Sequence, residues 1–180
     1  FMLQNILDNI VLGVILLIIV GIIYLPFYFI LRKKQIPILR QLSYLGLAGI
    51  IFIILFATIL ISIIGSGLNF NPPYHRLNLI PFSWLFDTFT MSQVISNIIM
   101  FIPLGFLLPI VFKKFRSFFN TTLFAFAFSF FIECFQYFIG RSSDIDDLIL
   151  NTLGGIIGYG IFILFNKWLS TQNWWKNLLQ

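Results

Sequence analysis

RSSDIDDLILNTLGG, residues 141–155, decides how this chain is read. It places an arginine and three aspartates directly ahead of a long apolar run, then sets an asparagine inside that run. The whole chain carries only six acidic residues, so half of its carboxylates fall in one short stretch. At about 100° per residue of helix, Asp144, Asp147, Asn151, Gly154 and Gly158 keep to one face, Gly155 joins it, and Asp146 points away. That face passes from acid to amide to glycines, which permit close helix contact. Gly140 reads as the stop of the preceding helix, and Asp144 with Asp147 three residues on resembles an N-cap and its N3 partner. Acids in a first turn also complement the helix dipole, so capping accounts for Asp144 more readily than for Asp147. Asn151 lies too deep to cap anything.

The runs on either side give the setting. Of 180 residues, 59% are hydrophobic and 9% are charged, against about 25% charged in a soluble domain; mean hydropathy is +1.00. A membrane-spanning helix needs about 20 apolar residues in a row, and the sequence offers five such runs, at about 6–31, 42–65, 91–112, 117–139 and 147–166. The expected fold is all-α: a polytopic integral membrane protein with five transmembrane helices and an interfacial or re-entrant outer segment. The first run is long and lacks a basic flank before it and a small-residue cleavage site after it, so it reads as a span and not as a cleaved signal.

Charge sets the expected orientation. Arg32, Lys33, Lys34 and Arg40 separate the first two runs, Lys113, Lys114 and Arg116 separate the third and fourth, and Lys167 and Lys176 follow the fifth. Of eleven Lys and Arg residues, only Arg76 and Arg141 lie elsewhere. With five spans all the others fall on one side, which the positive-inside rule makes cytoplasmic. The N-terminus is then outside, the C-terminus is cytoplasmic, and every acidic residue lies at or near the outer face. The net charge of +5 is therefore a topology signal that also favours anionic lipid; it points to no nucleic acid partner. One cysteine and one histidine exclude an intrachain disulfide and the usual zinc constellations.

Three regions follow. Residues 1–65 form two nearly pure aliphatic anchoring helices. Residues 66–166 form a three-helix core with an outer loop at 66–90, SGLNFNPPYHRLNLIPFSWLFDTFT, whose LNLIPFSWLF is too apolar for a free loop and too broken to span. Unpaired backbone is not tolerated in lipid, so this loop lies at the interface or re-enters the bilayer against protein. Residues 167–180, with Trp168, Trp174 and Trp175 near Lys167 and Lys176, read as an interfacial amphipathic tail.

Other polar groups stand where a membrane helix should have none. Ser129, Glu133 and Gln136 share a face of the fourth run, with Glu133 about two turns below its outer end. An acid at the bilayer centre costs on the order of 2.5–3.5 kcal/mol, and intramembrane ionisable residues are functional candidates by default. The plainer reading of Glu133 is an ion pair with Arg141. Asn97, at matching depth in the third run, is an interhelical hydrogen bond or a ligand group. The FIPLG stretch below it carries Pro103, expected to kink the helix, and Gly105. Together Asn97, Glu133, Gln136, Arg141, Asp144, Asp147 and Asn151 are expected to form an outward-facing polar pocket, roofed by 66–90 and floored by Asn151.

Such a pocket allows three chemistries. Glu133 beside Asp144 and Asp147 could divide acid and base roles. Carboxylates with amides could hold a hard divalent cation; no other cofactor is indicated. Arg141, with Arg76 and His75 above, could receive a phosphate or carboxylate head group.

In this order and spacing, LNLIPF (77–82), Asn97-x-x-x-Phe101-x-Pro103-x-Gly105, Glu133-x-x-Gln136, and Arg141-x-x-Asp144-x-x-Asp147-x-x-x-Asn151-x-x-Gly154 resemble the VanZ-like family of bacterial membrane proteins. The motifs cover about residues 77–160; the first two runs match nothing in that pattern. The resemblance implies a plasma-membrane protein that lowers susceptibility to lipid-tailed glycopeptide antibiotics such as teicoplanin without remodelling the peptidoglycan precursor. It implies a site containing Glu133, Gln136, Arg141, Asp144, Asp147 and Asn151. The expected partners are membrane lipids and a lipid-linked envelope precursor or the lipoglycopeptide itself. An acid/base enzyme with Glu133, Asp144 and Asp147 catalytic and Asn97, Gln136, Arg141, Asn151 and Arg76 holding substrate is one form of this expectation. A non-catalytic binder and a small transporter are the others.

Overall fold

A computed structural model describes residues 22, 24–33, 36–60, 63, 77–82 and 91–180. The chain divides into two units, Phe1–Leu45 and Gly46–Gln180. In the first, residues 24–33 are helical. Tyr24 donates to Gln41 Oε1 at 3.1 Å, and Gln41, itself buried, donates to the Ile36 carbonyl at 2.8 Å. Most of the first expected span lies outside the described residues.

Helix α1 (Ile38–Leu55) crosses the unit boundary and continues as a π-helical stretch, Phe56–Leu60. The second unit adds α2 (Met91–Val111), a 3-10 turn at Lys113–Arg116, α3 (Phe118–Phe138), α4 (Ile145–Leu169) and the short α5 (Asn173–Leu179). Among the described residues four stretches are long and apolar enough to cross a bilayer: Ile38–Leu60, Met91–Val111, Phe118–Phe138 and Ile145–Leu169. A 21-residue helix rises about 31 Å, matching a hydrocarbon core of about 30 Å. The protein is an all-α membrane protein; among the described residues one small parallel pairing joins β1 (Leu77–Asn78) to β2 (Ser143–Asp144). That pairing joins two residues with two and leaves the all-α reading intact; the span ends shift by a few residues from those read in the sequence. Pro103 and Pro109 sit inside the continuous α2 without ending it.

Helix α4 packs most extensively on α2 and next on α3. Glycine makes the α2–α4 contact a backbone contact. A methyl group built on Gly158 would collide with the Ile102 carbonyl oxygen, one on Gly154 with that of Ile98, and one on Gly105 with that of Gly155. On the α3 side, a methyl on Gly155 would stand 2.6 Å from Ala125 Cβ. Membrane helices gain no hydrophobic drive from burying apolar surface already in lipid, so close packing of small residues must hold them. The interior between them is filled by Phe101, Leu104, Leu108, Ile132 and Phe162, all essentially inaccessible.

At the end of the bundle bearing Lys113, Lys114 and Arg116, α5 docks on the helices. Trp175 and Leu178 bury into a cluster with Ile110, Tyr159 and Phe162. The Trp175 indole donates to Asn166 Oδ1 at 2.9 Å. Arg116 donates to the carbonyls of Pro109 (3.1 Å) and Leu179, while its own carbonyl accepts from the Tyr159 hydroxyl at 2.8 Å. The tail expected to rest in the interface thus has one face against protein, with Trp168 and Trp174 left exposed.

Candidate functional site

The site forms at the opposite end, where α3 stops and α4 begins. Gly140, at φ 81°, takes the left-handed conformation that a side chain disfavours. The Gly140 N–H donates to the Tyr137 carbonyl and the Arg141 N–H to that of Gln136 at 2.9 Å, a Schellman closure of α3. The chain then extends through Ser143 and Asp144, and Asp144 caps α4 by accepting from the Asp146 N–H at 2.9 Å. The cap meets N2 and not the N3 partner suggested by the spacing. The Asp144 N–H donates to Glu133 Oε2 at 2.9 Å, which fixes the glutamate's position on α3.

Segment 77–82 lies over this junction. Asn78 donates through Nδ2 to Asp144 Oδ2 at 3.0 Å and accepts from the Ile80 N–H at 3.1 Å. The Phe82 N–H donates to Asp146 Oδ1 at 2.6 Å, and Phe82 itself stands at φ 62°. A bulky residue in that region is costly, on the order of 1 kcal/mol or more; the charged acceptor on Asp146 offsets it. Asp146, expected to point away, is buried and is the anchor of this segment.

Beneath the junction lies a polar cavity of about 250 Å³. Its walls bring together Asn97 of α2, Glu133 and Gln136 of α3, Asp147 and Asn151 of α4, and Arg141. Asn97 donates to Asp147 Oδ1 at 2.5 Å. Asn151 donates to Ser129 Oγ at 3.0 Å, while its Oδ1 is buried with no hydrogen-bond partner among the described residues. The Thr58 carbonyl, inside the π-helical stretch, accepts from Gln136 Nε2 at 3.0 Å and from Arg141 Nη1 at 2.7 Å. Glu133, Gln136 and Asn151 are buried, Asn97 and Asp147 half-buried, and Arg141 exposed at the rim.

On the other side of Glu133 is a second space of about 360 Å³, almost wholly apolar. Leu79, Phe130, Cys134, Tyr137, Phe138 and Leu148 line it, with Asp144 at its edge. Among the described residues Glu133 is the one that lines both spaces.

Of the expected site residues, Asn97, Glu133, Gln136, Arg141, Asp147 and Asn151 meet in one cavity. Asp144 does not line it: one carboxylate oxygen caps α4 and the other takes the Asn78 amide. Arg76 and His75 lie outside the described residues. Sequence reasoning missed Thr58, Ser92, Gln93, Ser96 and Met100, which also line the cavity. Ser92 with Ser96 and Gln93 with Asn97 repeat at four residues, a signal of a polar helix face that was legible. Thr58 contributes a backbone carbonyl and left no such signal. Among the described residues no group of three or more His, Cys, Asp or Glu side chains is placed to hold a metal ion.

Comparison with known proteins follows the same residues. Residues 42–166 match the family model described as VanZ/LLP1. A relative, Protein VanZ of Enterococcus faecium, is 36% identical over 104 residues, covering 57% of this chain and 62% of the relative. The aligned part therefore spans less than two thirds of that relative's length. No solved structure matches the chain. The family model extends from α1 through most of α4, taking in every helix that lines the cavity, and the chain belongs to the VanZ/LLP1 family.

Proposed function

We propose that this protein lowers susceptibility to lipid-tailed glycopeptide antibiotics such as teicoplanin, by way of the polar cavity acting on a lipid-linked molecule of the cell envelope. The observation that carries this reading is the convergence of Glu133, Asp147, Asn97, Gln136 and Asn151 on one hollow within an otherwise apolar bundle. Burying that many polar groups in a membrane helix core is costly unless they are paired or line a wet hollow. The family supports the resistance role. The clustering of basic residues at the far end of the bundle supports a cavity that opens outward, with five spans, the N-terminus outside and the C-terminus cytoplasmic.

In its enzymatic form, Glu133 is the general acid or base, because the Asp144 N–H holds one of its oxygens while its side chain lines the hollow. Asp147, oriented by Asn97, is its partner carboxylate. Asn151 and Gln136 position the substrate. Asp144, with both oxygens engaged, orients Glu133 through the backbone and does not touch substrate. The apolar cleft beside Glu133 favours a second form, in which the protein captures a lipid or lipopeptide tail without chemistry. Transport is the weaker form: below the cavity α2 and α4 meet backbone to backbone at Gly105, Gly154 and Gly158, which closes the space between those two helices.

Charge-neutral variants test the reading. Glu133→Gln and Asp147→Asn, expressed to wild-type level, abolish the protection that the native protein gives against teicoplanin. Full protection by both variants overturns the role of the cavity. Loss of protection with retained lipid binding selects the enzymatic form.

A further inference from the structure

The end of the bundle away from the cavity presents a different surface, whose role does not depend on what the cavity binds. Lys113 and Lys114 stand on the 3-10 turn, Lys167 in the last turn of α4 and Lys176 on α5, all four exposed. The described acids, Glu133, Asp144, Asp146 and Asp147, all lie toward the α3–α4 junction at the other end. We propose that this end is a preformed docking surface for anionic phospholipid. The lysine ammoniums meet the head-group phosphates, and Trp168 and Trp174 sit beside them at the interface.

Helix length sets the depth of these groups. From Ile145 to Lys167, α4 rises about 33 Å, more than the hydrocarbon core of about 30 Å. With the acids of its first turn at one boundary, Lys167 clears the other and enters the head-group layer. Lys113 and Lys114 follow directly on α2 and reach the same level. Trp168 and Trp174, both exposed, are the side chains that favour this depth.

The docking of α5 makes the surface preformed. Trp175 and Leu178 are buried against the bundle, and Arg116 of the 3-10 turn donates to the Leu179 carbonyl. The turn and α5 are thereby tied together, and Lys176 and Trp174 are held facing outward on the same short helix. Little ordering remains to be done when a head group arrives, which lowers the cost of binding. The positive-inside rule alone explains why the lysines share a side. It asks for no lipid preference and no docked helix. A phosphate meeting one lysine without a competing acid is favoured about fivefold over a zwitterionic head group, the ratio that corresponds to about 1 kcal/mol.

The test reads tryptophan fluorescence of the full chain in symmetric vesicles of phosphatidylcholine and phosphatidylglycerol, so orientation does not enter. One lipid or the other is brominated near the head of its acyl chains, and quenching reports which of them lies against the protein. Trp84→Phe is present throughout, which leaves Trp168, Trp174 and Trp175 of the four tryptophans as reporters. Phosphatidylglycerol is expected to be preferred about fivefold, and the preference should fall toward equality in about 1 M salt, where screening reaches about 3 Å. Lys113→Gln, Lys114→Gln, Lys167→Gln and Lys176→Gln combined erase it. Trp175→Ala keeps every charge but releases α5, and is expected to lose at least half of the preference. Equal quenching by the two lipids in the parent protein, a preference indifferent to salt, or one that survives the glutamine variant overturns the proposal. A preference unchanged in Trp175→Ala overturns the part assigned to the docked helix. The salt comparison needs none of the lysine or Trp175 variants, so a misfolded variant does not shield the proposal.

Discussion

Two glycines on α4 separate packing from propensity. Gly158 faces the α2 backbone, where an added methyl would overlap the Ile102 carbonyl oxygen and stand 2.8 Å from the Phe106 nitrogen and 3.0 Å from Gly105 Cα. Ordinary carbon contacts lie at about 3.5–4.0 Å, and all three neighbours are backbone atoms that no rotamer change can move. The helices must separate by the better part of an ångström, which also loosens the Gly154 and Gly105 contacts above and below. Overpacking of this kind costs about 1–3 kcal/mol. Gly160, two residues along the same helix, has nothing within 4 Å of the same methyl. There alanine gains helix propensity, up to about 1 kcal/mol. Alanine gains the same propensity at both positions, so Gly158→Ala is expected to be less stable than Gly160→Ala by the overpacking cost alone, about 1–3 kcal/mol. Reversible unfolding in mixed micelles, followed by circular dichroism, measures that gap. Equal stabilities would refute the claim that backbone contact between α2 and α4 holds the bundle.

Three further outcomes follow from the same structure. Asp144→Ala removes the cap of α4 and the Asn78 contact and is expected to cost about 1–2 kcal/mol, whereas Asp144→Asn keeps an acceptor and costs less; the same unfolding assay separates them. Trp175→Ala strips the main anchor of α5 and should cost about 3 kcal/mol or more at that contact, read as faster proteolytic removal of residues 173–180 with the four long helices intact. A double-mutant cycle on Asn97→Ala and Asp147→Ala should return a coupling of about 1.5–3 kcal/mol, and a coupling near zero would mean the two helices are not joined there.

The long helices were legible because a bilayer demands an unbroken apolar run, and α2, α3 and α4 each supply one. The core of the cavity was legible for a related reason. Polar residues are so rare in these helices that Ser129, Glu133 and Gln136 on one face, and Asp147 and Asn151 on another, have few places to go but toward each other. What stayed hidden depends on contacts between distant parts of the chain. Helical spacing places Asp146 off the polar stripe, and only the return of residues 77–82 to the head of α4 explains its burial. The β1–β2 pairing joins two-residue strands that have no periodicity to detect. Asp144 looked like part of the pocket because it shares a face with Asp147, yet the cap draws its carboxylate away. The face of the tail that docks was hidden too, since Trp174 and Trp175 are chemically alike and only the position of Asn166 selects between them.

The central claim is that the cavity opens to the cell exterior. Ser92 lines it and is exposed, so Ser92→Cys in a Cys134→Ala background places one thiol at its mouth. Labelling intact cells with a membrane-impermeant maleimide, before and after permeabilisation, reads the side directly. The account predicts full labelling in intact cells; labelling that appears only after permeabilisation would contradict it.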